Sequence, residues 1–565
     1  MKNSGCKTVN NFTINRKGLG FLPFLILLFL CACAQKDTDI VVDQKQTLYP
    51  VLKSKEFNHI LQLDILNQDS LNGRVLSEVT IDLGGTEHIR DIESVSLLQV
   101  SDSTDLLADG GRLFAQTTEI SPKLTLKGNI PLDKMHNYFW LSYRLKDNAG
   151  LAGYITGSCE GARTDIGEAE VRELGRPKKL RKGFAVRNAM DDGVKSYRIP
   201  GLVTTNEGTL LACYDIRYDG KRDLQGNMDI GISRSIDGGE SWEPMKVALD
   251  MGKWGGLPEK FNGVSDASLL VDRRSNTVFV AGLWMHGVMD KNGKWVEGLD
   301  SDSEEWNHQW RNKGSQPGFG TKETSQFLIT RSLDDGKTWE EPINITKMCK
   351  KEEWWLFAPA PGKGITMENG TLVFPTQGRD KDGIPFSNIT YSKDGGNTWK
   401  TSEPAYTNTT ECAVVQLENG SLMLNMRNNR NREEKGPKNG RAIAVTDDMG
   451  KSWTEHPTSR GALIEPVCMA SLHKHTYTDS EGKEKSILLF SNPNSKEKRI
   501  KQTIKVSLDN GKSWPQEYWV ELDRGQGAGY SCLTSVDNDN IGILYEGSQA
   551  QMTFQLLSIS EILKR

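Results

Sequence analysis

The chain has 565 residues, a formal net charge of −4 and lysines and arginines scattered along its length. That length accommodates two or three domains, and the charge pattern excludes a nucleic-acid footprint. Eight histidines and nine cysteines form no pairs at zinc-ligand spacing, which argues against a structural or catalytic zinc. Fourteen Trp and thirteen Tyr suit stacking on sugar rings, with core packing the blander use of any single one.

The N-terminus reads as a processing segment. "NRKGLG" supplies positive charge, "FLPFLILLFL" is apolar but too short for a mature membrane span, and "CAC" comes next. Leu30-Cys31-Ala32-Cys33 resembles a bacterial lipobox, which implies an outer-membrane lipoprotein of a Gram-negative envelope, periplasmic or surface-exposed, with residues 1–33 a signal peptide and Cys33 the lipidated residue. Contact with the membrane is expected only through that anchor. The alternative is plain secretion. "AQKDTDIVVDQKQ" after Cys33 is polar and reads as a flexible tether over 34–45. The other mature cysteines, at 159, 213, 349, 412, 468 and 532, are widely spaced in apolar settings and read as free buried thiols.

Over residues 46–180, runs such as "HILQLDI", "RVLSEVTIDLG", "KLTLKGNIPL" and "YFWLSYRL" alternate apolar and polar residues between turns. This pattern predicts a β-sandwich, a candidate carbohydrate-binding domain. "ELGRPKKLRKG" (Glu173–Gly183) reads as a charged connector to the C-terminal two thirds of the chain.

From residue 181 to 565 one eight-residue phrase recurs. "SIDGGESW" (Ser235–Trp242), "SLDDGKTW" (Ser332–Trp339), "SKDGGNTW" (Ser392–Trp399), "TDDMGKSW" (Thr446–Trp453) and "SLDNGKSW" (Ser507–Trp514) fit the template S/T-x-D-x-G-x-S/T-W. Asp caps nearby backbone amides, Gly accepts positive φ, and Trp is an apolar anchor, so each copy predicts a hairpin staple. The phrase has too few acidic oxygens for a calcium loop. Its steps of 97, 60, 54 and 61 residues, filled with short β-rich runs, predict an all-β fold with a six-bladed β-propeller, four strands to a blade. Insertions such as 286–322 lengthen the first step.

Charged residues inside apolar strand runs are the candidates for chemistry: Arg198 in "SYRIPGLV", Arg217 and Asp223 in "YDIRYDGKRDLQGN", Glu411 and Arg427 in "NTTECAVVQLENGSLMLNMRNN", Arg499 in "FSNPNSKEKRI" and Tyr530 in "GQGAGYSCLTSV". Taken singly, each could be an edge or packing residue.

Together with the repeats, this ordered series resembles the bacterial exo-α-sialidases (neuraminidases), whose repeats are called Asp-boxes or BNR repeats; "YRIP" ahead of the first box strengthens the resemblance, which covers roughly 185–560. The resemblance implies that Arg198, Arg427 and Arg499 hold the substrate carboxylate and that Glu546, in "GILYEG", buttresses the first of them. It further implies Asp223 as acid/base with Arg217 ahead of it, Tyr530 as nucleophile with Glu411 as partner, and Asp266, in "GVSDASLL", lining the pocket. No box marks the sixth blade, as in the family.

Three guanidiniums suit a carboxylate on the anomeric carbon, a bidentate geometry that Lys does not reproduce. A phenol avoids the repulsion a carboxylate nucleophile would meet there, and sialidases are the Tyr exception among glycosidases. The implied activity is retaining hydrolysis of terminal α-linked sialic acid from sialylated glycans, by a monomer with no cofactor or metal. A glycan-binding envelope propeller without turnover is the competing reading, and a trans-sialidase a third; an activated phenol is of no use to a lectin. Since the propeller holds every assigned residue, removing 45–180 is expected to spare a small substrate.

Overall fold

The computed structural model describes residues 36–564 apart from 70–72, 104–110, 222–225, 257, 288–295, 297–307, 309–314 and 322. Most of the 286–322 insertion, and the lipobox with Cys33, therefore lie outside the described residues.

The N-terminal unit is one nine-stranded sheet. Its order is Arg112–Thr117, Ile92–Val100, His136–Leu145, Asn58–Asn67, Lys36–Lys45, Glu168–Val171, Ser158–Thr164, Val75–Asp82 and Lys123–Pro131. The sheet folds over a core that includes Ile40, Leu61, Leu63, Val79, Leu97 and Phe139. Its two edge strands meet, for a Cβ on Gly128 would lie 2.5 Å from the Phe114 carbonyl oxygen.

Two boundaries differ from the sequence reading. Lys36–Lys45 is a strand, not a tether: it pairs antiparallel with Asn58–Asn67 and parallel with Glu168–Val171. The β-branched run Ile40–Val42 is buried there, and buried Asp37 pairs with Arg74 at 3.2 Å. The connector is also shorter than expected, because Leu180–Arg187 is a strand and the 180/181 division cuts into it. Lys182 is 1% exposed, its ammonium 2.5 Å from Asp91; the charge is buried because a partner waits for it.

Beyond residue 187 the chain builds successive four-stranded antiparallel units. The first is Ser196–Thr204, Leu210–Arg217, Met228–Ser235 and Lys246–Leu249; the second is Asn262–Val271, Val278–His286, Gln326–Ser332 and Ile343–Asn344. Units starting at Leu356, Thr409 and Ser471 come after them. A closing unit joins Ser531–Ser535, Asn540–Tyr545 and Met552–Ser558 to Leu180–Arg187, so strands from both ends of this region share one sheet. Strands of neighbouring units lie side by side, and Ser196–Thr204 returns to Ser531–Ser535, which gives a propeller-like ring.

The repeats do what their composition predicts. Ser235 Oγ donates to Asp237 Oδ1 (2.8 Å) and accepts from the Gly239 amide (2.8 Å), while Asp237 Oδ1 accepts from the Ser241 amide at 3.0 Å. The other four copies repeat this pattern. Boxes also rest on the preceding unit. A Cβ on Gly239 (φ +95°) would fall 2.0 Å from Phe554, one on Gly336 2.8 Å from Leu211, and one on Gly396 2.7 Å from Phe279. Trp242 stacks edge-on against Phe554 at 5.3 Å. The boxes therefore staple neighbouring units together, and only glycine fits at these three contacts.

The N-terminal unit contributes to the closing unit's sheet. Val51–Lys53 adds a parallel strand to Lys182–Phe184 of the closing unit, and Leu52 packs with Ala185 and Ala550. Lys53 Nζ donates to the Glu240 carbonyl at 2.7 Å. Removing residues 45–180, expected to spare a small substrate, would also take this strand from the closing unit. The six described cysteines are free and buried, as expected.

Candidate active site

Most of the described candidate residues lie at or next to strand ends. Arg198 lies near the start of Ser196–Thr204, beside a bulge between Arg198 and Gly201. The next residue, Ile199, has φ 65°, a strained value for a β-branched side chain. Glu546 holds this arrangement: its Oε1 accepts from Arg198 Nε (2.5 Å) and the Ile199 amide (2.9 Å). Its Oε2 accepts from the Tyr530 amide at 2.9 Å.

Glu411 and Arg427 face each other across the hairpin of Thr409–Gln416 and Leu422–Asn428. Arg427 Nη1 donates to Glu411 Oε2 at 2.5 Å and to Tyr530 Oη at 3.0 Å. Tyr530 Oη in turn donates to Glu411 Oε1. The Arg198 and Arg499 guanidinium carbons lie 5.6 and 5.5 Å from the centre of the Tyr530 ring. Arg499, just ahead of the strand Ile500–Ser507, donates to the carbonyls of Ala528 (2.8 Å) and Val467 (3.4 Å). Three guanidiniums, a phenol and two carboxylates thus share one cluster.

Burial pushes the Tyr530 phenol well above its ordinary range, and Glu411 adds to this while Arg427 and Arg499 oppose it. The phenol is held neutral, with its hydroxyl already donating to the Glu411 carboxylate. Burial works against the charge on Arg427, but Glu411 and Tyr530 outweigh it, so that guanidinium stays protonated. The arrangement can bind a carboxylate beside a phenol that has a base of its own.

Arg217 and Asp266 form a neighbouring cluster around Asp215, which is opposite Arg198 in the strand register. Asp215 Oδ2 accepts from Arg217 (2.8 Å) and Ser265 Oγ (2.7 Å), and its Oδ1 accepts from the amide of Asp266 (3.2 Å), whose φ is 57°. Arg217 also donates to the Lys221 carbonyl at 3.2 Å, two residues before Asp223. Asp223 itself lies outside the described residues.

Two supporting groups escaped the sequence reading. Asp215 is one. The other is the fully buried Arg441–Glu465 pair, 2.8 Å apart. Glu465 accepts from the amide of Asn428, next to Arg427, at 2.7 Å, and Arg441 donates to the Cys468 carbonyl at 2.8 Å, next to the Val467 that receives Arg499. One ion pair thereby braces the supports of two arginines. Asp215 and Glu465 carried the same signal as Arg198, a charge in an apolar run ("LLACYDIR", "ALIEPVCMA").

A family model described as the BNR repeat-like domain matches residues 199–546, and one described as the N-terminal domain of BNR-repeat neuraminidase matches 39–165. A sialidase of Bacteroides fragilis is 40% identical over 96% of this chain and 99% of that protein. The chain belongs to the BNR-repeat neuraminidase family. A sialidase of Clostridium perfringens is 28% identical over 63% of this chain and 87% of its own. The solved structure of the Hadza microbial sialidase Hz136 matches with a TM-score of 0.80 and 37% identity, over 92% of this chain and 99% of that chain. Both matched domains are therefore present together in this chain.

Proposed function

We propose that the protein is an exo-α-sialidase that releases terminal sialic acid from sialylated glycans with retention, using Tyr530 as nucleophile and Glu411 as its base. The hydrogen bond between Tyr530 Oη and Glu411 in a pocket faced by three arginines carries this reading. Arg198, Arg427 and Arg499 would bind the carboxylate on the anomeric carbon. As Tyr530 Oη attacks that carbon, its proton passes to Glu411 and the glycosidic bond breaks. Asp223 donates a proton to the leaving oxygen, then takes one from the water that cleaves the sialyl-tyrosine. Arg217, through the Lys221 carbonyl, would steady the segment leading to Asp223, and Asp266 would line the pocket.

In this reading the successive units are six propeller blades, and the folded-over N-terminal sheet is a sandwich. The lipobox supports lipidation of Cys33 and an outer-membrane address. Release of sialic acid from linkage-defined sialyllactoses, followed by NMR, tests the activity and its stereochemistry. Transfer to lactose acceptors instead of water would identify a trans-sialidase.

A further inference from the structure

The segment that delivers Tyr530, "RGQGAGY", has three glycines in six residues ahead of the tyrosine; it leaves the strand Val520–Gln526, paired with Ile500–Ser507, and past that strand the Gly527 amide donates to the Arg499 carbonyl at 3.1 Å. Gly527 packs where a Cβ would lie 2.2 Å from the Glu546 carbonyl oxygen. Buried Asp523 accepts from the Gly525 amide (2.9 Å), the Ser548 amide (2.7 Å) and Ser548 Oγ (2.8 Å). It thereby knots the strand entering the Tyr530 segment to the loop leaving Glu546.

The N-terminal unit reaches both sides of this knot. The Leu48 carbonyl accepts from the Arg524 amide at 2.8 Å. Lys55 Nζ donates to the carbonyl of Gln549, and His59 Nδ1 lies 2.7 Å from Gln549 Oε1. The directions are determined. Ser548 Oγ gives its proton to Asp523, so it accepts from Gln549 Nε2 at 3.0 Å; the Gln549 oxygen then accepts, and His59 carries its proton on Nδ1. Trp140 and Tyr49 pack edge-on against the His59 ring at 4.7 and 5.9 Å. Burial, seconded by Lys55, holds His59 down to about 4, so the ring stays neutral and this single tautomer persists near neutral pH.

We propose that His59 and Gln549 are positioning residues for the sialidase pocket, the N-terminal unit setting Glu546, and through it Arg198 and Tyr530, by the chain His59–Gln549–Ser548–Asp523. Gln549 is three residues from Glu546, and Gln551 Oε1 accepts from the amide of Tyr197, next to Arg198, at 2.7 Å. The inference rests on the proposed roles of Arg198 and Tyr530. A shift of the Glu546 loop would move the Arg198 guanidinium relative to the phenol, and misplacements on the order of 1 Å are costly.

The test compares two contacts of the same interface in the full chain. His59→Ala, which breaks the chain, is expected to lower kcat/KM on a fluorogenic sialoside by about tenfold or more and to weaken binding of free sialic acid, whose carboxylate reads Arg198. His59→Gln, able to donate to Gln549 again, should recover most of the loss. Glu240→Ala loosens the interface at its other end, where Glu240 accepts from the Leu151 amide at 3.0 Å, and should lower the thermal midpoint with kcat/KM within about twofold. Gln549→Ala reads the chain from its other side should His59→Ala not fold. If the His59 and Gln549 variants match Glu240→Ala in both melting and kcat/KM, or if His59→Gln recovers nothing, the positioning role is wrong. An active Tyr530→Phe would instead overturn the reading of the pocket itself.

Discussion

Glu546 and Tyr530 hold each other twice: the Tyr530 amide donates to Glu546 Oε2 at 2.9 Å, and the Glu546 amide donates to the Tyr530 carbonyl at 2.9 Å. The other carboxylate oxygen of Glu546 takes Arg198. One side chain thus fixes the distance between the first arginine and the phenol. Glu546→Gln keeps the shape and removes the charge, leaving Arg198 without this counter-ion and one oxygen site replaced by a donor. The expected result is a loss in kcat/KM of about 10- to 100-fold and a stability loss of about 1–3 kcal/mol by chemical denaturation. A variant with native kcat/KM would show that the buttress is dispensable.

Tyr530→Phe removes the oxygen that contacts both Glu411 and Arg427 and keeps the ring between Arg198 and Arg499. Folding and sialic-acid binding should survive, while turnover of natural sialosides falls by several orders of magnitude. A 2,3-difluoro-sialosyl fluoride should label the wild type at Tyr530 and leave the Phe variant unlabelled. Peptide mapping that finds the label on Glu411 would make the carboxylate the nucleophile.

Much of this was legible in the residues themselves. The staples arise from local turn chemistry, which needs only eight consecutive residues, and Arg198, Glu411 and Arg427 stand out because apolar strands do not carry charge without a reason. What was misread depends on partners distant in sequence. Lys182 looks like connector charge until Asp91 is placed beside it, and "KDTDIVVDQK" looks like a polar tether until two strands accept its backbone. The His59–Gln549 contact joins residues of two units; no local pattern announces it.

The box aspartates predict acid behaviour. In Asp394 the Thr398 hydroxyl and amide, then Ser392, hold the carboxyl down to about 2 from an ordinary 3.8; in Asp448 the Ser452 amide and hydroxyl, then Thr446, do the same. A folded-state value below the unfolded one contributes stability that is complete above about pH 4 and lost as pH falls through about 2. Asp394→Ala and Asp448→Ala should therefore melt below the wild type at pH 6, the gap closing as pH falls toward 2, with kcat and KM of the folded variants at pH 6 within about twofold of wild type. A gap that stays constant with pH, or a variant with native melting and lost kcat, would contradict the stapling role.

Truncation is the severest test of the shared sheet. A chain beginning at Leu180 loses Val51–Lys53, so Leu180–Arg187 keeps Met552–Ser558 on one side and bare backbone on the other. Leu52 no longer covers Ala185 and Ala550, and Lys182 keeps its buried site without Asp91. An exposed strand edge and an unpaired buried charge both favour aggregation or local unfolding. The closing unit also carries Tyr530 and Glu546 at its strand ends, so the damage falls where the pocket is assembled. The expected outcome is a poorly soluble protein or, where soluble, a lowered thermal midpoint with kcat/KM on a small fluorogenic sialoside reduced by about tenfold or more; residues 36–179 added in trans should restore part of it. A fragment 180–565 that melts cooperatively at the wild-type temperature and turns over the small substrate at the wild-type rate would show that the propeller closes and aligns its pocket alone.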